Sequence, residues 1–186
     1  MPDQPREIRL VILDRDGVIN RDSTAFVKSA DEWLPLPGSI EAIAALSQAG
    51  FLIAVASNQS GVGRGLVSEA ALGDMHGKLL ELVGLEGGQV DLIVVCPHGP
   101  NDSCNCRKPK PGLMHQVGEY FAVDITGVPV IGDSLRDLQA GATAGCRPVL
   151  VRTGNGAMTE SSLPAELADV EVYDDLAAAA AALLSG

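Results

Sequence analysis

A doubly wound, Rossmann-like α/β fold, with a parallel sheet flanked by helices, is predicted for this 186-residue chain by three observations. Short apolar strands alternate with helical patterns along the whole length, the signature of βα units joined by right-handed crossovers. Hydrophobic residues make up 46% of the chain but aromatics only 3%, a composition rich in Ala, Val, Leu and Gly that suits helices packed on a buried parallel sheet. Polar, chemistry-bearing residues follow the strands, where such sheets bind their ligands. The length suits a single domain, residues 1–186, with a sizeable core.

The elements follow in order. Ile8, Leu10, Val11, Ile12 and Leu13 read as a buried strand, stopped by a tight turn at Gly17. Residues 38–50 carry Ile40, Ile43 and Leu46 at helical spacing and end at a glycine cap. Residues 51–56 form the second strand. A helix over 68–83 starts with Ser68 as N-cap. The third strand, 90–95, runs into a compact loop rich in Cys, His and Pro. Helices over 112–121 and 135–144 flank a fourth strand at 128–131; a fifth strand at 148–151 precedes an Ala-rich packing helix at 175–184. Trp33 is a lone aromatic with a packing role, Cys146 a small buried hydrophobe, and His76 and His115 are helix-packing or surface residues.

Charge narrows the function. A formal net charge of −11 argues against nucleic acid and anionic membrane as partners. It also disfavours anionic substrates, so a phosphate site must rely on local cations or a metal. No apolar run approaches a membrane span, and residues 1–9 are polar and lack a leader-peptide core. A cytoplasmic chain with reduced cysteines is the expectation.

The strand ends carry the chemistry. Asp14-Arg15-Asp16-Gly17 ends the first strand; two carboxylates two residues apart repel unless a divalent cation lies between them. One could attack phosphorus while the other handles the leaving group's proton, although solvated turns also carry this pattern. Ser57, Asn58 and Gln59 follow the second strand, then Gly61, Gly63 and Gly65 around Arg64. That glycine run lacks dinucleotide spacing and reads as a flexible substrate-facing loop. Arg107, Lys108 and Lys110 lie beyond the third strand, and Gly132-Asp133-Ser134 ends the fourth. Cys96, His98, Cys104 and Cys106 place four soft or borderline ligands within eleven residues, the donor set of a closed structural Zn²⁺ site. Cys106 adjoins Arg107 and Lys108, so anchoring it would fix where both cations point.

As an ordered set, Asp14-Arg15-Asp16-Gly17, Ser57-Asn58, a loop lysine, and Gly132-Asp133-Ser134 with Asp137 resemble the haloacid dehalogenase (HAD) superfamily of phosphohydrolases. The resemblance implies that Asp14 is the nucleophile and forms an aspartyl-phosphate, and that Asp16 is the acid and then the base. It also implies that Asp14, Asp133 and the backbone carbonyl of Asp16 hold Mg²⁺. Arg107-Lys108-Pro109 matches the superfamily's lysine motif, with Lys110 as the fallback. Asp137 is either a metal-supporting group or a helix N-terminal charge. Phosphate-monoester hydrolysis needs accelerations of up to ~10²¹-fold, so charge neutralisation by Mg²⁺ and lysine, with Ser57 on the phosphoryl oxygens, is the chemistry to look for.

The loop Cys-x-His…Cys-x-Cys-Arg-Lys-Pro narrows the resemblance to the capless branch that holds the heptose-bisphosphate and histidinol-phosphate phosphatases. The stretch 57–65 and the tail 150–154 resemble its heptose members. That implies removal of the C7 phosphate of D-glycero-D-manno-heptose 1,7-bisphosphate on the route to nucleotide-activated heptose for lipopolysaccharide or other surface polysaccharide. Ser57, Asn58, Gln59, Ser60 and Lys108 would bind phosphate, Arg107 would read the substrate, and Asp22, Ser23, Thr24 and Ala25 would line its sugar end. Ser134 stands where some heptose enzymes carry lysine. A monomer with the zinc loop, 96–108, inserted after the third strand is expected. The alternatives are a phosphatase for histidinol phosphate or another small phosphomonoester, and a phospho-accepting receiver or zinc-stabilised binding module without turnover. The second aspartate favours turnover, because it supplies the acid/base group that a receiver lacks.

Overall fold

The computed structural model describes residues 8–186; most of the polar stretch 1–9 lies outside the described residues. In chain order these form β1 (Arg9–Leu13), α1 (Ser39–Gln48), β2 (Phe51–Asn58), α2 (Ser60–Gly63), α3 (Glu69–Leu85), β3 (Leu92–Cys96) and α4 (Gly112–Phe121). They continue as β4 (Pro129–Gly132), α5 (Leu135–Thr143), β5 (Arg147–Val151), α6 (Gly156–Glu160), a 3-10 turn (Ala165–Leu167), β6 (Glu171–Tyr173) and α7 (Leu176–Ser185). The six strands pair in parallel in the order β3-β2-β1-β4-β5-β6. The winding direction reverses between β1 and β4, so a crevice opens at their carboxyl ends.

Period-two alternation along the strands divides the core between the two faces. Val11, Leu13, Ile53, Val55, Ile131 and Val149 pack with Ile43, Leu46, Met75, Leu79 and Leu176 from α1, α3 and α7. Leu10, Ile12, Ala54, Ala56 and Val130 face the other way, against Leu113, Met114 and Val117 of α4 and Ala140 of α5. Val11, Ile12 and Leu13 are fully buried because β1 has neighbours on both edges and helices on both faces. The chain leaving β1 therefore has a rigid base. Trp33 is fully buried in the first of these cores, and Cys146 lies in the second.

The structure departs from the sequence reading in four short elements: α2, α6, the 3-10 turn and β6. Three- to five-residue elements carry too few positions for a periodic pattern. The glycine run also differs, forming a helical turn rather than an open loop. Gly63 N donates to the Pro97 carbonyl at 3.2 Å, and a Cβ at Gly63 would overlap that carbonyl, so the glycine serves close backbone approach. Arg64 lies over the Phe26 ring, 5.6 Å from its centroid. Among the described residues, no helix is long and apolar enough to cross a membrane.

Candidate active site

Two clefts flank the sheet. The larger, about 1040 Å³, lies at the amino ends of the strands, against Arg9, Phe51, Pro129, Arg147 and the end of α7. The smaller, about 200 Å³, opens at the carboxyl ends and is lined by Asp14, Asp16, Ser57, Lys108, Asp133 and Asp137. Size does not choose between them. Doubly wound sheets bind ligands at the carboxyl ends, and there the polar groups converge.

Asp14 leaves β1 at the switch point, its amide bonded to the Ile131 carbonyl of β4 at 2.9 Å. The turn that follows is tight: the Arg15 carbonyl accepts from the amides of Ile19 (2.8 Å) and Asn20 (3.2 Å). Gly17 takes φ +85°, and a Cβ there would overlap the Asp133 carboxylate, so glycine meets two requirements at once. Asp16 has its own set of partners. Its Oδ1 accepts from Asn20 Nδ2 at 2.8 Å and from Arg15 Nη2 at 2.9 Å, and its Oδ2 accepts from Gln59 Nε2 at 2.8 Å. Gln59 Nε2 also reaches Ser57 Oγ at 2.9 Å, which ties the end of β2 to the β1 turn.

Lys108, and not Lys110, enters the cleft. Its Nζ lies 2.9 Å from Asp14 Oδ1 and 2.6 Å from Asp137 Oδ1, and donates to the Ala56 carbonyl at 2.9 Å. Asn58 fixes it there, because its side chain pairs with both the amide and the carbonyl of Lys108 at 3.0 Å. Lys110 is exposed and reaches only the Cys104 carbonyl, outside the cleft. Asp137 takes the helix N-terminal role and also pairs with Lys108. Oδ1 pairs with Lys108, while Oδ2 accepts from the amide (3.0 Å) and hydroxyl (2.6 Å) of Ser134, capping α5.

Asp133, at the end of β4, is held from a segment the sequence did not flag. Asn155 donates to its Oδ2 from the backbone amide (2.8 Å) and the side chain (3.1 Å), and Thr159 Oγ1 donates to its carbonyl at 2.9 Å. Neither residue has a local signal; only the return of the chain after β5 brings them here.

These contacts set the electrostatics. Burial, then the neighbouring Asp137 charge, raise the Asp14 carboxyl well above the usual range, against the pull of Lys108. Burial and Asp137 push Asp133 up to about 6. Burial alone would raise Asp137, but Lys108 and the Ser134 donors reverse it and hold it low. Burial opposes the Lys108 charge, and Asp137 and Asp14 more than compensate, so the ammonium persists. Asp14, Asp133 and Asp137 each offer an oxygen within 4.8 Å of the others. When all three carboxylates are ionised they face one ammonium, which leaves two negative charges for a divalent hard cation to balance. The donor set fits Mg²⁺.

Cys96, His98, Cys104 and Cys106 likewise bring their ligand atoms within 4.8 Å of one another, and all three thiols are free. Cys96 Sγ lies 3.0 Å from Cys106 Sγ and 3.9 Å from Cys104 Sγ, and His98 Nδ1 lies 3.3 Å from Cys106 Sγ. Tetrahedral Zn–S bonds of about 2.3 Å place sulfurs ~3.8 Å apart, so the cluster fits zinc with small adjustments.

Of the remaining residues singled out from sequence, Asn58, Gln59, Ser60, Arg107, Asp22 and Ser23 line the cleft. Thr24 and Ala25 follow on the same exposed loop, outside the lining. The structure adds Arg15, Phe26, Val27, Arg136 and Asn155 to that lining. Arg107 Nη1 donates to the His98 carbonyl at 2.9 Å, so the cluster loop also orients this cation.

A model of the HAD-hydrolase-like family matches residues 105–179. The chain is 55% identical over 175 residues to a D-glycero-β-D-manno-heptose-1,7-bisphosphate 7-phosphatase from Pseudomonas aeruginosa, covering 94% of this chain and 97% of that one. A protein of the same name from Bordetella bronchiseptica is 53% identical over 179 residues, covering 95% and 98%. The crystal structure of a D,D-heptose 1,7-bisphosphate phosphatase from B. bronchiseptica, complexed with magnesium and phosphate, matches with a TM-score of 0.91 at 53% identity, over 96% of this chain and 99% of that one. The corresponding phosphatase from Burkholderia thailandensis matches with a TM-score of 0.74 at 45% identity, covering 96% and 99%. On this site geometry and these near full-length matches, the chain belongs to the D-glycero-β-D-manno-heptose-1,7-bisphosphate 7-phosphatase family of HAD-type hydrolases.

Proposed function

We propose that the chain is a Mg²⁺-dependent phosphatase that removes the C7 phosphate of D-glycero-β-D-manno-heptose 1,7-bisphosphate, en route to nucleotide-activated heptose. The observation that carries this is the meeting of Asp14, Lys108 and Asp133 at the β1/β4 switch point, with Asp16 two residues beyond. An Asp14 oxygen attacks phosphorus, and the bond from phosphorus to the C7 oxygen breaks. Asp16 delivers its proton to that oxygen, leaving an aspartyl-phosphate. Asp16, now ionised, takes a proton from water as the water oxygen attacks phosphorus, and inorganic phosphate leaves Asp14. Lys108 holds Asp14 in line and offsets phosphoryl charge, while Ser57 donates to a phosphoryl oxygen. Asp14, Asp133 and the Asp16 carbonyl would hold Mg²⁺, whose charge, when bound, relieves repulsion between the carboxylate and the phosphoryl group.

The phosphate that stays on the sugar needs its own cations. Lys108 and Arg15 are engaged by carboxylates, whereas Arg107 and Arg136 line the cleft with no ion-pair partner among the described residues. These two meet the 1-phosphate, and the loop from Asp22 to Ala25 borders the sugar. The zinc loop, 96–108, holds Arg107 and Lys108 in place. One continuous sheet supports the reading of a single hydrolase domain, which we take to work as a cytoplasmic monomer.

The test is Mg²⁺-dependent phosphate release from both anomers of the bisphosphate, with histidinol phosphate alongside. Preference for the β-anomer supports the proposal; turnover of histidinol phosphate alone keeps the mechanism and overturns the substrate. Arg107→Ala should raise KM for a bisphosphate far more than for a monophosphate, and equal effects would remove it from recognition.

A further inference from the structure

Arg15 is the only buried arginine among the described residues, 1% exposed, although it stands in a turn between two aspartates. Its Nε and Nη2 donate to Asp16 Oδ1 at 3.2 and 2.9 Å, and Nη2 also donates to Oδ2 at 3.0 Å. With Asn20 Nδ2 and Gln59 Nε2, three side chains place five donor contacts on two carboxylate oxygens. A sequence-adjacent ion pair in solvent contributes little to stability. This one is different in kind, because burying a guanidinium costs several kcal/mol unless a partner compensates it. Asp16 is its only carboxylate partner among the described residues.

The surroundings direct that charge to Asp16. Arg15 Nη1 is buried without a partner, and so is His76 Nε2 on α3. Burial and the Arg15 charge lower the His76 pKa to about 4, so this imidazole is neutral and offers no competing charge. The Arg15 carbonyl meanwhile anchors the turn through the amides of Ile19 and Asn20. Both ends of the residue are fixed, and the side chain has one ionic contact.

We propose that Arg15 is a positioning residue for phosphoryl transfer, holding the Asp16 carboxylate in the orientation from which it exchanges its proton with the leaving oxygen and with water. This rests on the reading of Asp16 as the acid/base group. The contacts of the Arg15 side chain are to Asp16, and it acts through this neighbour.

The experiment is a double-mutant cycle with Arg15→Met, Arg15→Lys, Asp16→Asn and the Arg15→Met/Asp16→Asn pair, assayed on the heptose bisphosphate with saturating Mg²⁺. Arg15→Met should lower kcat roughly ten- to hundredfold with KM within about threefold, because orientation and not binding is lost. Arg15→Lys should recover part of that loss. In the Asp16→Asn background, Arg15→Met should change the residual kcat by less than about twofold, since the group it positions is gone. Circular dichroism and melting curves check that each variant folds. If Arg15→Met is unfolded, the test passes to Arg15→Lys, which should lower kcat while leaving KM unchanged. An equal loss in both backgrounds, or matched changes in KM and kcat, makes Arg15 merely structural and overturns the proposal. Full activity of Arg15→Met beside an inactive Asp16→Asn overturns the proposal alone. Full activity of Asp16→Asn overturns the assignment of Asp16, and the proposal with it.

Discussion

Lys108→Met is the substitution that most directly probes the site. The substitution keeps most of the apolar stem and loses the one ammonium that contacts Asp14, Asp137 and the Ala56 carbonyl. Lys108 and Asp137 are each 2% exposed and Asp14 13%, so solvent replaces little of what is lost. Removing one partner of a buried ion pair costs roughly 3–5 kcal/mol, and two carboxylates lose a partner here, which points to the upper part of that range. A domain of this size has only about 5–15 kcal/mol in hand, so the variant should fold with a much lower urea midpoint in EDTA. Mg²⁺ at a hundredfold excess over its Kd should restore ~2.7 kcal/mol, because it binds the carboxylates that the lysine abandoned. In saturating Mg²⁺, kcat should still fall about 10²–10³-fold, the usual effect of deleting one preorganised charge facing the transition state. Lys110→Met is the control, with kcat unchanged. A stability loss under about 1 kcal/mol together with kcat within about threefold of native would refute the account of Lys108 as the shared counter-ion.

Other outcomes test the remaining chemistry. Asp14→Asn should abolish turnover with the fold retained, and substantial residual activity would remove Asp14 as the nucleophile. Metal analysis should find about one zinc per chain, as four protein ligands imply, and Cys106→Ser should lower both zinc content and kcat because Arg107 and Lys108 follow it directly. Thiols that titrate freely in a zinc-free active protein would dismiss the cluster as a metal site. In EDTA the raised Asp133 carboxyl, like Asp14, gives stability that is complete below the unfolded value near 4 and lost as pH rises through about 6 for Asp133 and higher for Asp14. Mg²⁺ binds the ionised forms, so the rise in Tm that it produces should be larger at about pH 8 than at about pH 5; a smaller rise at the higher pH would contradict this linkage.

The sequence by itself determined five of the six strands and the polar groups that follow them. Ile8 to Leu13 and residues 51–56 are apolar runs whose pattern needs no tertiary help, and carboxylates or hydroxyls immediately after strands are placed by chain connectivity alone. The cysteine cluster was legible for the same reason: all four of its members lie within eleven consecutive residues. What the tertiary structure decided is everything that depends on residues distant in sequence meeting at the switch point. Lys108 prevails over Lys110 because Asn58, fifty residues earlier, pins its backbone and turns it inward. Asn155 and Thr159 hold Asp133 only because the chain returns past the end of β4 after β5, and the five-residue helix α6 that carries Thr159 is too short for a periodic signal. Asp137 serves Lys108 and the cap of α5 together because a carboxylate has two oxygens and the fold presents a partner to each. Arg15 is buried because the turn after β1 closes over it, and hydropathy alone puts an arginine in such a turn on the surface.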